Sequence, residues 1–249
     1  MRVLVLGGTG LISTPMVELL LKAGHEPVLF NRGESPSRSN ADIETVHGDR
    51  NDFKGFEAAV ADIKPDAVID MLTFDSHTAA NSVSVFKDTS VQHYLFCSAT
   101  SVYGPLSKIP ADESEPHTPT GQYGENKSEA EHVFIEALKA HQFPVTILRP
   151  AHVYGPGQTL PSPWGYDACL VSRIRTDKAI LVPGDGYGAF QLLYSEDTAA
   201  AFVAALDEKT TLGQVYNVAP ETYLDWQGYL TALGTALDTS VNLIPAPSS

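Results

Sequence analysis

Through its first 150 residues the chain alternates between two kinds of apolar pattern. Apolar runs of strand length occur at residues 3–6, 27–30, 45–47, 67–71, 93–97 and 145–148. An unbroken run, unlike an alternating one, belongs to a strand buried on both faces. Between these runs, residues 16–21, 55–60, 79–86 and 125–138 carry apolar side chains at helical spacing, so strand and helix alternate. That order predicts an α/β fold with a doubly wound parallel sheet, because parallel neighbours must be joined by crossovers that lay helices on the sheet faces.

After Arg149 the texture changes. Gly155, Pro156, Gly157, Pro161, Pro163 and Gly165 crowd into a loop-rich stretch that ends near residues 183–188. A helical pattern follows at 196–206, opened by Glu196-Asp197 where the helix dipole favours negative charge, and then a strand pattern at 215–218. The expected division is a sheet domain over residues 1–158 and a smaller region over 159–249, part of which, about 190–218, returns to the sheet domain.

Composition narrows the classes of partner. With 43% hydrophobic residues the chain fills a core without cross-links, and its formal charge of −14, from 30 acidic against 16 basic residues, repels phosphate backbones. A small-molecule substrate is favoured and nucleic acid is not. The two cysteines, Cys97 and Cys169, stand far apart with no secretory signature, which points to reduced thiols and a cytoplasmic setting. The opening MRVLVLGG is too short an apolar run for a signal segment or a membrane span. The eight histidines show no metal-ligand spacing, so no metal is expected; His77 follows Asp75-Ser76, which reads as a helix start.

The first strand runs directly into Gly7-Gly8-Thr9-Gly10-Leu11-Ile12-Ser13. Glycines after a strand and before a helix permit a tight turn and let backbone approach a pyrophosphate, with the helix N-terminus facing the anion. Gly7, Thr9, Gly10, Leu11 and Ile12 are therefore candidate dinucleotide contacts. Ser13 stands where a third glycine is usual, and Pro15 requires that the helix begin near Ser13 or open with distorted geometry. The second strand ends at Phe30-Asn31-Arg32, where an acid would bind the ribose 2′-hydroxyl of NAD. Here the acid is missing and a cation is present, so NADP is favoured over NAD, with Asn31 and Arg32 as the discriminating residues. Asp49-Arg50, after the third strand, is a candidate for the adenine amino group or a simple turn. Met71 and Leu72, at the end of the fourth strand run, are further cofactor candidates.

Tyr123 and Lys127 in Tyr-Gly-Glu-Asn-Lys lie four residues apart, on one face of a helix. A nearby ammonium favours phenolate over phenol and brings the tyrosine toward the range of a working acid/base. The preceding loop, Ser98-Ala99-Thr100-Ser101, offers hydroxyls at the carboxyl edge of the sheet. Glu129 and Glu131 beside Lys127 read as a solvated helix face. Trp164 and Tyr166 either line a pocket or cap the core.

Taken together, GGTGLIS at 7–13, GDRND at 48–52, SVYGP at 101–105, YGENK at 123–127, LRPAHVYGPG at 148–157 and VYNVA at 215–219 resemble the NAD-dependent epimerase/dehydratase family, the extended short-chain dehydrogenases/reductases. LFNRG at 29–33 and VIDML at 68–72 place the chain nearest the branch of chloroplast stem-loop-binding proteins. The resemblance implies a Rossmann sheet holding NADP or NAD, with Tyr123 as acid/base, Lys127 assisting, and Pro150 to Val153 near the nicotinamide. It also implies a homodimer through helices flanking the sheet, including the one with Tyr123.

Three departures stand out. Ala99 occupies the usual place of a catalytic Ser or Thr, so that either Thr100 or Ser98 substitutes or tyrosine acts alone. Thr100-Ser101 replaces the Asp-Glu pair of sugar-nucleotide 4,6-dehydratases, which disfavours dehydration. Residues 184–199 lack the arginine that grips a sugar-nucleotide pyrophosphate in epimerases, leaving Arg173 and Arg175 as substitutes. The chain also ends before the final helices common in the family, which implies either a more open pocket or residues absent from it. The expected function is an NAD(P)-dependent oxidoreductase or epimerase acting on a hydroxyl or keto group of a sugar, nucleotide sugar or similar molecule. The alternative is a dinucleotide-binding or RNA-associated scaffold.

Overall fold

The computed structural model describes residues 1–34 and 42–247. The chain divides into two compact units, one formed by Met1–Ala151 with Ser195–Val218 and the other by His152–Tyr194 with Ala219–Ser249.

The first unit contains β1 (Arg2–Leu6), α1 (Ser13–Lys22), β2 (Glu26–Asn31), β3 (Thr45–His47), α2 (Phe53–Ile63), β4 (Ala67–Asp70), α3 (Ser76–Phe86) and β5 (His93–Cys97). It continues through α4 (Gln122–His141), β6 (Val145–Pro150), α5 (Ser195–Asp207) and β7 (Val215–Val218). The seven strands form one sheet in the order β7-β6-β5-β4-β1-β2-β3, with every neighbouring pair parallel. Strand β1 starts near the middle, the chain winds outward to β3, and it then returns to β4 on the other side. The crevice at the carboxyl ends of β1 and β4 is therefore the topological switch point, where ligands bind in open α/β sheets.

Successive side chains of each strand feed opposite faces. Leu4, Leu6, Phe30, Tyr94 and Phe96 pack with residues of α2, α3 and α4, whereas Val3, Val5, Leu29 and Leu95 pack with Met16 and Val17 of α1 and Phe202 of α5. This two-sided burial is why the central strands read as unbroken apolar runs. The first face is built around aromatic rings: Phe134 lies 4.8 Å from Phe96 and 5.3 Å from Tyr94 between ring centroids.

Local chemistry sets the helix starts. Asp75 caps α3 by accepting from the Thr78 amide at 2.7 Å, and Asp52 caps α2 by accepting from Gly55. Helix α1 begins at Ser13, which puts Pro15 in the first turn, where its missing N–H costs nothing.

In the second unit, Ile180–Pro183 pairs in parallel with Leu243–Ala246, and His152–Tyr154 with Leu192–Tyr194. The helices Leu170–Arg175 and Trp226–Ala236 pack on a core of Leu170, Ile174, Ile180, Val182, Tyr229 and Leu230. Phe190 and Trp226 stack with ring centroids 4.0 Å apart. The unit starts at His152 rather than after residue 158 because His152–Tyr154 pairs with Leu192–Tyr194 and not with the seven-stranded sheet. Among the described residues no helix is long and apolar enough to cross a membrane.

Phe134 is fully buried, so Phe134→Ala is expected to cost about 3–5 kcal/mol of stability through lost burial and a residual cavity. Urea unfolding followed by circular dichroism measures the loss, and a change below about 1 kcal/mol contradicts this account of the core.

Candidate active site

A cleft of about 430 Å³ lies at the carboxyl ends of β1, β2, β3 and β4. Gly7 and Thr9 contribute its floor from the glycine loop, and Asn31, Arg32, Asp49, Arg50 and Leu72 contribute walls. Gly7 and Gly8 have φ of +114° and +94°, a region that side chains avoid, and a Cβ on Gly8 would lie 2.8 Å from the Leu29 side chain. Helix α1 has no side-chain cap at Ile12, and Pro15 in its first turn carries no amide, so the first-turn donors of Thr14 and Met16 turn to the carbonyls before them. Gly10 and Ile12 supply backbone carbonyls to Thr14 and Met16, and Leu11 lies between them at the helix start. An anionic diphosphate fits this cradle. Met71 and Leu72 flank it, each 3.6 Å from where a Cβ on Gly7 would stand.

The end of the cleft beyond β2 is organised by a tight turn. Asn31 Oδ1 accepts from the Gly33 amide at 2.8 Å and faces His47 Nδ1 at 3.2 Å, while Gly33 turns the chain with φ of +73°. The turn brings Arg32 and Glu34 together at 2.9 Å, both largely exposed on the cleft. Asp49 accepts from the Asn51 amide at 2.9 Å, which is turn chemistry, and it also lines the cleft. Arg50 differs from its neighbours. Only 7% exposed, it donates to both oxygens of Asp70 at 2.9 and 3.3 Å and to Ser82 Oγ at 2.6 Å. Its Nε is buried with no partner among the described residues, leaving one donor of a cleft-lining cation unspent.

Asp70, wholly buried at the end of β4, collects the surrounding donors: the Leu72 and Thr73 amides, the Thr73 hydroxyl at 2.6 Å, and Tyr94 Oη at 2.5 Å, besides Arg50. Burial alone would raise its carboxyl, but the Arg50 charge and these bonds outweigh that and hold it below the usual carboxylate range. Nothing in the strand pattern singles out Asp70 beyond its being the one acid in an apolar run.

Thr73 connects this cluster to Lys127. Lys127 Nζ donates to the backbone carbonyls of Thr73 and Cys97, both at 2.7 Å, and the residue is 2% exposed. Its ammonium lies 4.6 Å from the Phe74 ring centroid, 5.0 Å from Phe96 and 5.9 Å from Tyr123. Burial pushes the ammonium below the usual lysine range, against the opposing pull of Cys97, Asp70 and Glu131. Tyr123, in the first turn of α4, is 52% exposed, so the pair joins a buried cation to an accessible phenol. Gly124 lets α4 come close: a Cβ there would stand 2.3 Å from the Ser101 carbonyl oxygen.

The hydroxyl candidates separate. Ser98 is 3% exposed and donates to Glu131, whereas Thr100 is half-buried at the start of the 3₁₀ turn Thr100–Val102. Thr100 is thus the hydroxyl of the two that reaches the surface. Glu131 corrects the sequence expectation of a solvated face: it is fully buried and bonded to Arg149, with Arg149 Nη2 at 2.6 Å and Nε at 2.9 Å. Its spacing of four from Lys127, and the single cation in the apolar β6 run, were the available pointers.

Pro150 ends β6, buried beside Val218 of β7. Val153 belongs to the second unit, where its carbonyl accepts from Tyr166 Oη at 3.3 Å. Trp164 and Tyr166 are exposed there, Trp164 donating to the Leu181 carbonyl at 3.0 Å. Arg173 and Arg175 lie in the last turn of Leu170–Arg175, with Arg173 donating to the Ala179 carbonyl.

The sequence model of the "NAD dependent epimerase/dehydratase family" matches residues 3–219. Among curated proteins, 2'-dehydrokanamycin reductase of Streptomyces kanamyceticus is 27% identical over 248 residues, covering 100% of this chain and 70% of its own length. Chloroplast stem-loop binding protein of 41 kDa b from Arabidopsis thaliana is 25% identical, covering 94% of this chain; the chain spans 63% of that relative. Among solved structures, the Thermus thermophilus UDP-glucose 4-epimerase in complex with NAD superposes with a TM-score of 0.81 at 24% identity, covering 100% of this chain and 87% of the other.

Burial pushes the Cys97 thiol up to about 11, while Cys169 is exposed. Ellman's reagent at pH 8 is accordingly expected to titrate Cys169 in the native protein and to reach Cys97 only after unfolding. Two fast-reacting thiols in the folded chain would contradict the packing at the end of β5.

Proposed function

Because the chain belongs to the NAD-dependent epimerase/dehydratase family, we propose that it is an NADP-linked oxidoreductase or epimerase, with Tyr123 exchanging a proton with a substrate hydroxyl or carbonyl. The observation that carries this reading is Lys127. Two of its protons go to the Thr73 and Cys97 carbonyls and one remains, on a desolvated ammonium 5.9 Å from the Tyr123 ring. A cation placed there stabilises phenolate on the accessible tyrosine, which lets Tyr123 take a proton from a carbinol or return one to a carbonyl oxygen. The remaining ammonium proton is available to a ribose hydroxyl. A bound nicotinamide supplies the hydride exchange. Thr100, half-buried beside the first turn of α4, orients the substrate oxygen in place of the residue missing at Ala99.

For the cofactor, Gly7, Thr9, Gly10, Leu11 and Ile12 hold the diphosphate, Met71 and Leu72 flank it, Asp49 and Arg50 face the adenine end, and Pro150 serves the nicotinamide end. Arg32 favours a 2′-phosphate, which must compete with Glu34 for the guanidinium. A sugar or nucleotide-sugar substrate is supported by curated relatives named 2'-dehydrokanamycin reductase and UDP-glucose 4-epimerase. A second reading, a dinucleotide-binding or RNA-associated scaffold, draws on Ala99, on Ser98 being committed to Glu131, and on the likeness to a stem-loop binding protein. The charge of −14 disfavours its RNA form.

Tyr123→Phe is expected to lower turnover of NADPH with a responsive ketone or keto-sugar nucleotide by about 10²-fold or more, with little change in NADPH affinity. Full turnover by the variant removes Tyr123 from the mechanism. Arg32→Ala is expected to weaken NADP about tenfold and NAD hardly at all, measured by calorimetry; equal effects on both, or tighter binding of NAD by the unaltered protein, contradict the assignment. A chain that binds NADP yet reacts with no member of a broad carbonyl and sugar-nucleotide panel supports the scaffold reading.

A further inference from the structure

We infer that the buried Glu131–Arg149 ion pair is a positioning device for the active site, which grips both ends of the segment 98–103 and so sets Thr100 against the Tyr123 end of α4. The inference rests on the role proposed for Tyr123.

Glu131 lies eight residues after Tyr123 and four after Lys127 on α4, so the three side chains share one helix face. Glu131 accepts from Ser98 Oγ, the first residue of the segment. Arg149, at the end of β6, binds Glu131 through Nε and Nη2 and turns Nη1 to Tyr103 Oη at 2.6 Å, the last residue of the segment. Tyr103 in turn donates to Asn217 Oδ1 at 2.6 Å, and Arg149 Nη2 also meets His117 Nε2 at 2.7 Å. One ion pair thus holds the segment at its entry and its exit. Between those anchors lie Ala99 and the 3₁₀ turn beginning at Thr100, whose Ser101 carbonyl presses on Gly124 next to Tyr123.

The energetics favour a directional role over a stabilising one. Glu131 is fully buried and Arg149 is 3% exposed. Removing two charges from water is costly enough that apolar side chains of similar volume serve stability as well or better. What apolar residues lack is the ability to receive Ser98 and to direct Tyr103 at fixed distances. A displacement of about 1 Å between reacting groups costs on the order of 10²-fold in rate, so a turn carrying a substrate-orienting hydroxyl benefits from such anchoring.

The test uses three variants of the whole chain saturated with NADP. Glu131→Leu/Arg149→Met removes the pair while keeping volume; Ser98→Ala and Tyr103→Phe each cut one tether and leave the pair intact. The readouts are hydrogen exchange at the Val102 and Tyr103 amides, which close the turn onto Ala99 and Thr100, and the separate kcat and KM for NADPH. In the double variant, exchange at these two amides is expected to rise about tenfold or more, as for loss of one charge-assisted bond, while amides of β1 and β4 stay protected. The kcat is expected to fall about tenfold with KM for NADPH unchanged, and each single variant to show part of both effects.

A folded double variant with unaltered exchange in the turn overturns the inference, as does a uniform rise across the sheet. Should the double variant not fold, the two single variants decide the matter by the same criteria. If Tyr123→Phe keeps full turnover, the acid/base reading falls, while the exchange result still shows whether the pair holds the turn.

Discussion

A lysine ammonium stripped of water persists only where other oxygens replace its hydration, and at Lys127 those oxygens are the backbone carbonyls of Thr73 and Cys97. Cys97 closes β5, and Thr73 stands three residues beyond its parallel neighbour β4, in the turn that Asp70 holds. A parallel sheet presents its last carbonyls along one edge, and α4 crosses that edge one turn after Tyr123. The position of the cation therefore depends on the register of two strands and the close approach of one helix. Gly124 allows that approach, since any side chain there meets the Ser101 carbonyl.

Two buried carboxylates steady the strand ends around this cation. Asp70 gathers Arg50, Thr73, Tyr94 and two backbone amides at the end of β4, and so shapes the Thr73 turn whose carbonyl Lys127 uses. Glu131 gathers Ser98 and Arg149 at the ends of β5 and β6. Each of these two anions carries its own arginine, and Lys127 is a further buried cation, facing aromatic rings. The cleft shares this construction: Arg50 lines it while tied to Asp70, and Thr73 carries the same hydrogen-bonded cluster on to Lys127.

Much of this was legible in the order of residues. Unbroken apolar runs marked the central strands of the main sheet, because burial on both faces leaves few polar positions to interrupt a run. The glycine loop was legible for a stereochemical reason: Gly7 and Gly8 adopt backbone angles that other residues resist. The pairing of Tyr123 with Lys127 follows from helical spacing alone. The boundary of the second unit was harder to see, since whether His152–Tyr154 joins the main sheet or Leu192–Tyr194 depends on a partner about 40 residues away.

The acidic residues mark the limit most clearly. Sequence by itself determined the sheet, its winding, the glycine loop after β1 and the one-turn spacing of Tyr123 and Lys127, since these rest on local periodicity and backbone freedom. Only the tertiary structure decided that Glu131 is buried while Glu129 is not, that Ser98 is bound to that carboxylate, and that Arg50 serves Asp70. The burial of a charge is set by partners distant in the chain: Glu131 meets Arg149 across 18 residues and Arg50 meets Asp70 across 20. No local pattern encodes whether such a partner will arrive.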